Sequence, residues 1–289
     1  GSAAGTASAG NLLGTDSLIG IQNVSTGRGA DSVVGSDAAN IIVTDLATDA
    51  TGSADTVSAG AGNDTVIAGA GADVIDGGAG ADSIDAGTGN DKVVFDAADT
   101  IDGGVGTDSL VVKTATLDLS AATPRVSNLE VIDLTQGEAP SQVTLSKAFV
   151  EAMGGASAVV SIEGDVGDKL VLANDASAPL TPLWYRDPTA DVDTNGDRIM
   201  DFVAYKSGNT KVMVDRDVQL AGSSLTGDPA TAETIQSGPG NDTITGSGND
   251  VLDLSRRLAS TGTVDVTDPV TVVLPNGSTA GTATAGVGA

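Results

Sequence analysis

TGSADTVS AGAGNDTVI AGAGADVID GGAGADSID AGTGNDKVV, residues 51–94, is one pattern written five times, with the first copy one residue short. An aspartate closes each run of small residues, at Asp55, Asp64, Asp73, Asp82 and Asp91, nine residues apart. Two residues after each stands an aliphatic: Val57, Val66, Ile75, Ile84 and Val93. Glycine and alanine permit the tight and left-handed backbone angles of a turn. The short tail after each aspartate offers one inward side chain, as a very short strand does. Each nine therefore predicts half a coil, six residues of turn and three of strand, and two halves close a coil of eighteen.

Coils stacked ~4.8 Å apart place Asp55, Asp73 and Asp91 in one row and Asp64 and Asp82 in the opposite row. Two unit charges at that spacing repel by roughly 3.5 kcal/mol at an effective dielectric near 20. A hard dication between successive turns, held by carboxylates and by carbonyls of the glycine-rich turns, reverses that sign. Oxygen-only ligation at flexible distances suits calcium better than magnesium or zinc.

The cassette resembles the RTX nonapeptide, GGxGxDxUx with U aliphatic, the repeat of calcium-binding parallel β-rolls in type I secreted bacterial proteins. The fold this implies is all-β: a parallel β-roll with a β-rich capping or companion domain and a short second cassette. The ligands it implies are the aspartates Asp31, Asp55, Asp64, Asp73, Asp82, Asp91, Asp99 and Asp108. With them go the turn glycines Gly60, Gly62, Gly69, Gly71, Gly78, Gly80, Gly87, Gly89, Gly104 and Gly106. Several calcium ions are the expected cofactor.

Composition narrows the alternatives. The 289 residues carry 13 Lys+Arg against 39 Asp+Glu, a formal net charge of −26, with no His and no Cys. Such an acid balance argues against nucleic acid and anionic membrane surfaces and makes cations the natural partners. Without His or Cys there is no Ser-His-Asp or Cys-His nucleophile pair and no conventional zinc site. Nor can a disulfide support an extracellular chain, a role that calcium fills here. No apolar run is long enough to span a membrane. Gly1 and Ser2 read as residues left by an expression tag, so the chain is expected to be a fragment of a longer protein.

Residues 1–25 form a lead-in whose NLLGTDSLIGIQNV resembles the GTDxLxGIENV segment ahead of such rolls. The roll is predicted over 26–111. It starts with an irregular coil in which Asp31 and Asn40, and Val33 and Ile42, lie nine apart, and TDLATDATG, 44–52, interrupts it as a loop. Asp99 follows Asp91 by eight and Asp108 restores nine. Beyond it LVVKTATLDLS, NLEVIDLT and QVTLS alternate as longer strands, and SNLEVIDLT, 127–135, resembles the segment after the rolls of large bacterial surface adhesins. Residues 112–222 hold most of the Phe, Trp, Tyr and Met, and so predict a metal-independent companion domain. Within it SKAFVEAM reads as a helix capped by Ser146, and FVAYKS with TKVMVDRDVQLA as a hairpin around 207–209. A second cassette at 223–255, SGPGNDTIT and GSGNDVLDL, adds Gly238, Gly240, Asp242 and Asp250 as calcium candidates. The tail, 256–289, predicts one strand at 270–274 and is otherwise low in complexity and partly disordered.

DVDTNGDRIMD sets Asp191, Asp193, Asn195, Asp197 and Asp201 around Gly196 and resembles an EF-hand or thrombospondin type 3 calcium loop, with Phe202 in place of the bidentate Glu. Trp184 and Tyr185 are candidates either for a sugar platform or for core. The Asp-Pro bonds at Asp187, Asp228 and Asp268 read as turns. No catalytic constellation is visible, so the chain is not expected to be an enzyme. The expected function is a calcium-binding structural module of a secreted bacterial surface adhesin, exported by the type I machinery and folding on calcium outside the cell. A fragment of an S-layer lattice protein is the alternative. An accessory module of a secreted polysaccharide-modifying or hydrolytic enzyme is the second. Expected partners are calcium and the secretion machinery, with a cell-surface polysaccharide or another protein as open candidates.

Overall fold

The computed structural model describes residues 6–8, 22–27, 29–45, 52–120, 125–137, 140–155, 158–173, 184–187, 190–192 and 201–221, and the strands 224–226, 234–236, 243–245, 251–253 and 271–273. The chain divides into two units: 1–113, 124–133 and 152–154 form the first, and 114–123, 134–151 and 155–289 the second.

In the first unit the three residues after each aspartate are strands, because one aliphatic in three can face inward while its neighbours face water. Alternate half-coils feed two parallel sheets. One runs Thr6–Ser8, Asn23–Ser25, Ile41–Val43, Thr65–Ile67, Ser83–Asp85, Thr100–Asp102 and Val126–Ser127. The other takes Ser32–Ser36, Thr56–Gly60, Val74–Asp76, Lys92–Val94, Ser109–Val111 and Val131–Asp133. Registers stack the aliphatics in two columns: Val24, Ile42, Val66, Ile84, Ile101 and Val126, and Val33, Val57, Ile75, Val93, Leu110 and Ile132. All are buried. Ala59 on one side of the roll and Ala68 and Ala86 on the other add buried methyl groups at zero exposure, a thin core of small side chains.

The eighteen-residue coil appears as the spacing between bonded aspartates Asp55 and Asp73. The period varies along the stack. The interruption at 44–52 makes a coil of 24, from Asp31 to Asp55, and the eight-residue step before Asp99 makes one of 17, from Asp82 to Asp99. The parallel stack extends beyond 26–111 in both directions, to Thr6–Ser8 and to Val131–Asp133. The lead-in and NLEVIDLT carry no full glycine cassette, yet each supplies an aliphatic at the correct register.

The second unit is also built on parallel strands, with a longer period. Thr116–Leu119, Gln142–Leu145, Lys169–Leu172 and Gln219–Leu220 form a sheet in which Leu119, Leu145 and Leu172 align, as do Leu117, Val143, Leu170 and Leu220. A second sheet pairs Val159–Glu163 with Thr210–Asp215 in parallel. Thr210–Asp215 closes an antiparallel hairpin with Phe202–Ser207 around Gly208, whose φ is 64°. Trp184–Arg186 runs antiparallel to Phe202–Ser207 and parallel to Ser224–Thr226. Thr243–Thr245 and Thr271–Val273 continue that parallel order, while Thr234–Gln236 pairs with Val251–Asp253. The helix Lys147–Gly154 starts where Ser146 Oγ accepts the N–H of Phe149 and ends at Gly155, φ 83°. Phe149, Val150 and Met153 are its buried face. No helix among the described residues is long and apolar enough to cross a membrane.

Candidate metal centre

Each repeat aspartate except Asp99, whose N–H goes to the Asp96 carbonyl, donates its backbone N–H to the carboxylate one coil later. On one side of the roll the bonds run Asp31 to Asp55, Asp55 to Asp73, Asp73 to Asp91 and Asp91 to Asp108, at 2.7–2.8 Å. On the other they run Asn40 to Asp64, Asp64 to Asp82 and Asp82 to Asp99, at 2.7–2.9 Å. The strand after each aspartate fixes its backbone and the turn before it folds the side chain inward. From Asp55 to Asp108 every repeat aspartate is at most 2% exposed.

One carboxylate oxygen is thereby used and the other is not. Oδ2 of Asp31, Asp55, Asp64, Asp73, Asp82, Asp91, Asp99 and Asp108 is buried with no hydrogen-bond partner. Burial pushes Asp91 up to about 7, and Asp55 and Asp99 up to about 6, against the N–H that each accepts; the nearby Asp73 carboxylate pushes Asp55 and Asp91 further up. Asp64, Asp73, Asp82 and Asp108 are raised for the same first cause. A bare anionic oxygen inside a protein is costly unless a proton or a cation meets it.

All ten predicted glycines of the main array have positive φ. Gly80 and Gly89 illustrate the reason, a close approach of neighbouring backbone. A Cβ on Gly80 would lie 1.6 Å from the Gly62 carbonyl oxygen, and one on Gly89 would lie 1.4 Å from that of Gly71. Main-chain oxygens of one turn thus face the next turn beside the unpartnered carboxylates. Among the described residues no three acidic side chains close a metal cage by themselves. A metal held here would take further ligands from carbonyls, an oxygen set suited to calcium.

Residues 16–50, 49–84, 58–93 and 230–256 each match the RTX calcium-binding nonapeptide repeat family. These are RTX calcium-binding repeats. No curated protein and no solved structure matches the chain. RTX arrays bind several calcium ions, and the paired, half-satisfied aspartates fit that cofactor.

The RTX columns contain members other than the repeat aspartates. Asn40 stands in an aspartate's place without its charge: its Nδ2 donates to the Gln22 carbonyl and its Oδ1 accepts the Ser36 N–H. Asn63 and Asn90, each just before an aspartate, accept the N–H of Ala81 and Thr107 one coil later, at 3.1 and 3.0 Å. Asp45 is buried where the next coil has Gly69, and its Oδ2 lies 3.4 Å from the Ala70 N–H. Glu130 follows Asp108 in its column, Oε2 accepting the Asp108 N–H at 2.9 Å. The signal for Glu130 was in the sequence: Glu130-Val131-Ile132 repeats the acid-x-aliphatic spacing. Asp168-Lys169-Leu170 repeats it again, in the second unit. There Oδ1 accepts the Ser141 N–H and Oδ2 the Asp165 N–H, so both oxygens are used. The unpartnered oxygen belongs to the RTX turn, whereas Asp168 satisfies itself.

Of the EF-hand-like candidates, Asp193, Asn195 and Asp197 lie outside the described residues, and so do Gly238, Gly240, Asp242 and Asp250 of the second cassette. Asp191 Oδ1 accepts the Ala204 N–H at 3.0 Å, and the Asp201 N–H donates to the Val192 carbonyl, so the loop's two ends are joined by backbone bonding. Trp184 is fully buried with its indole N–H on the Ala173 carbonyl, which makes it core and no platform. Asp187 pairs with Lys211 at 3.2 Å. Asp228, Asp268 and the tail outside Thr271–Val273 are not among the described residues.

Proposed function

We propose that the chain is a calcium-folded structural module of a secreted bacterial surface adhesin, without catalytic activity of its own. The observation that carries this reading is the row of buried, unpartnered carboxylate oxygens along both sides of the roll. Its ligands are Asp31, Asp55, Asp64, Asp73, Asp82, Asp91, Asp99 and Asp108, together with main-chain carbonyls of the glycine turns between them. Where calcium is scarce the charged columns oppose folding and the chain stays open enough for type I export. Outside, at ~1 mM calcium, each site of dissociation constant near 0.1 mM adds about 1.4 kcal/mol, and several such sites decide whether the roll forms. The thin inner core of Val, Ile and Ala makes the switch possible, because apolar burial does not dominate.

Calcium titrated calorimetrically into metal-stripped protein, with circular dichroism on the same samples, tests this. Cooperative uptake of several ions with a gain of β signal is expected. Equal β content with and without calcium would refute calcium-gated folding. Ordered two-dimensional sheets on calcium addition would replace the adhesin with the lattice reading, and turnover of a polysaccharide would replace it with the enzyme-module reading.

A further inference from the structure

The carboxylate column outlasts the glycine cassettes. The Asp108 N–H bonds to Glu130 just as the Asp91 N–H bonds to Asp108, at 2.9 and 2.8 Å. The N–H groups of Glu130 and Val131 return to the Asp108 carbonyl at 2.9 and 3.0 Å, and Ile132 registers on Leu110. The turn that makes this possible, Asn128-Leu129-Glu130, has no glycine. Asn128 takes the left-handed conformation instead, with φ 53°, the one non-glycine residue to do so among those described. Asparagine tolerates that region better than other side-chain-bearing residues, and here its amide is anchored on Asp102 Oδ1 at 2.7 Å. Its carbonyl oxygen would lie 2.0 Å from a Cβ on Gly103, the same close approach that the Ala59 carbonyl makes to Gly35 within the array. Asp108 is fully buried and its Oδ2 has no hydrogen-bond partner. Lys92, which registers on Ser109, is committed to Asp133 at 3.2 Å.

We infer that Asp108 and Glu130, with the main-chain carbonyl of Asn128, form a further calcium site that closes the C-terminal end of the column, outside every segment that matches the RTX family. The inference rests on the calcium reading of the array itself. The step from Asp108 is 22 residues, yet the strands that follow still pair in register, Ser109 with Val131, so Glu130 stands at ordinary ladder distance from Asp108.

Glu130→Gln keeps an oxygen to accept the Asp108 N–H and removes the charge. Wild type, Glu130→Gln, Glu130→Asp and, as a control inside the array, Asp73→Asn are dialysed against calcium and their bound metal counted by mass spectrometry. Hydrogen exchange is followed at limiting calcium. Glu130→Gln is expected to hold one ion fewer than wild type, with protection lost at 109–111 and 131–133 and kept at 65–94, and Glu130→Asp to recover the ion. A wild-type ion count in Glu130→Gln overturns the site, including when protection is lost, since Glu130 is then only a structural bridge. If Asp73→Asn loses an ion and Glu130→Gln does not, this inference alone fails. If wild type binds none, the reading of the whole array fails.

Discussion

Asp91 accepts the Asp73 N–H with one oxygen while the other is bare, and burial lifts its carboxyl to about 7. A folded-state value above the ordinary 3.8 means that the protonated form is the one the metal-free fold prefers. Its contribution is therefore fully present below about pH 4 and is lost as pH rises through about 6 to 7, the range of Asp55, Asp99 and Asp91. Metal-stripped protein is expected to melt at a higher temperature at pH 5 than at pH 8. With calcium present the order reverses, because protons compete for the same oxygens. Thermal melts by circular dichroism at the two pH values check both signs. Asn40 shows what a neutral occupant does, since its amide satisfies itself against Gln22 and Ser36. Asp91→Asn should thus stabilise the metal-free roll and weaken the calcium-loaded one by about 1.4 kcal/mol, the linkage of a single site of ~0.1 mM affinity at ~1 mM calcium. Chemical denaturation with and without calcium would show it. At this scale much was legible in the sequence: the repeat aspartates from Asp55 to Asp108 were placed by their spacing. Asp45, Asn63, Asn90 and Glu130 were not, because their roles depend on which residue lies one coil away, and that distance varies between 17 and 24.

Turns, more than strands, specify this roll. A methyl group on Gly89 would meet the Gly71 carbonyl at 1.4 Å and needs φ 141°, whereas one on Gly29, at φ 125°, meets nothing within 4 Å. Gly29→Ala then carries backbone strain alone, on the order of 1 kcal/mol. Gly89→Ala must also push two coils apart and is expected to cost on the order of 3 kcal/mol or more. Urea unfolding in saturating calcium separates the two. The strands themselves were readable because one aliphatic two residues after each acid leaves little choice of face. The helix was readable because Ser146 and Gly154-Gly155 bracket a single apolar face, and Ser146→Ala should cost it about 1 kcal/mol. NLEVIDLT was harder to place. Its turn gets its left-handed residue from Asn128, which sequence alone does not distinguish from an ordinary polar position.

Across the whole chain, the contrast between the repeat aspartates and Asp168 predicts a metal-dependent and a metal-independent part of the β-structure. Chelator should strip hydrogen-exchange protection from 56–111 and leave it on 142–145, 159–163 and 210–215, where carboxylates and backbone are already satisfied. Equal loss in both regions would mean that the second unit also folds only with calcium. The net charge of −26 reinforces this dependence, since the metal-free chain repels itself. What composition could not show was that the second unit also stacks parallel strands. Its 27-residue step from Ser141 to Asp168 is too long and too varied to register as a repeat.

The one-way bonding of the columns, each carboxylate gripping only the coil before it, also determines how the roll yields to a pull. A coil touches just its two neighbours, so tension on the ends of the first unit peels it from the rim inward. Each release frees about 18 residues, or roughly 60 Å of extended chain, and the calcium between the departing coil and the next is lost with it. The roll would behave as a string of mechanical fuses whose breaking force is set by the surrounding calcium, and which re-form in sequence when the load is removed.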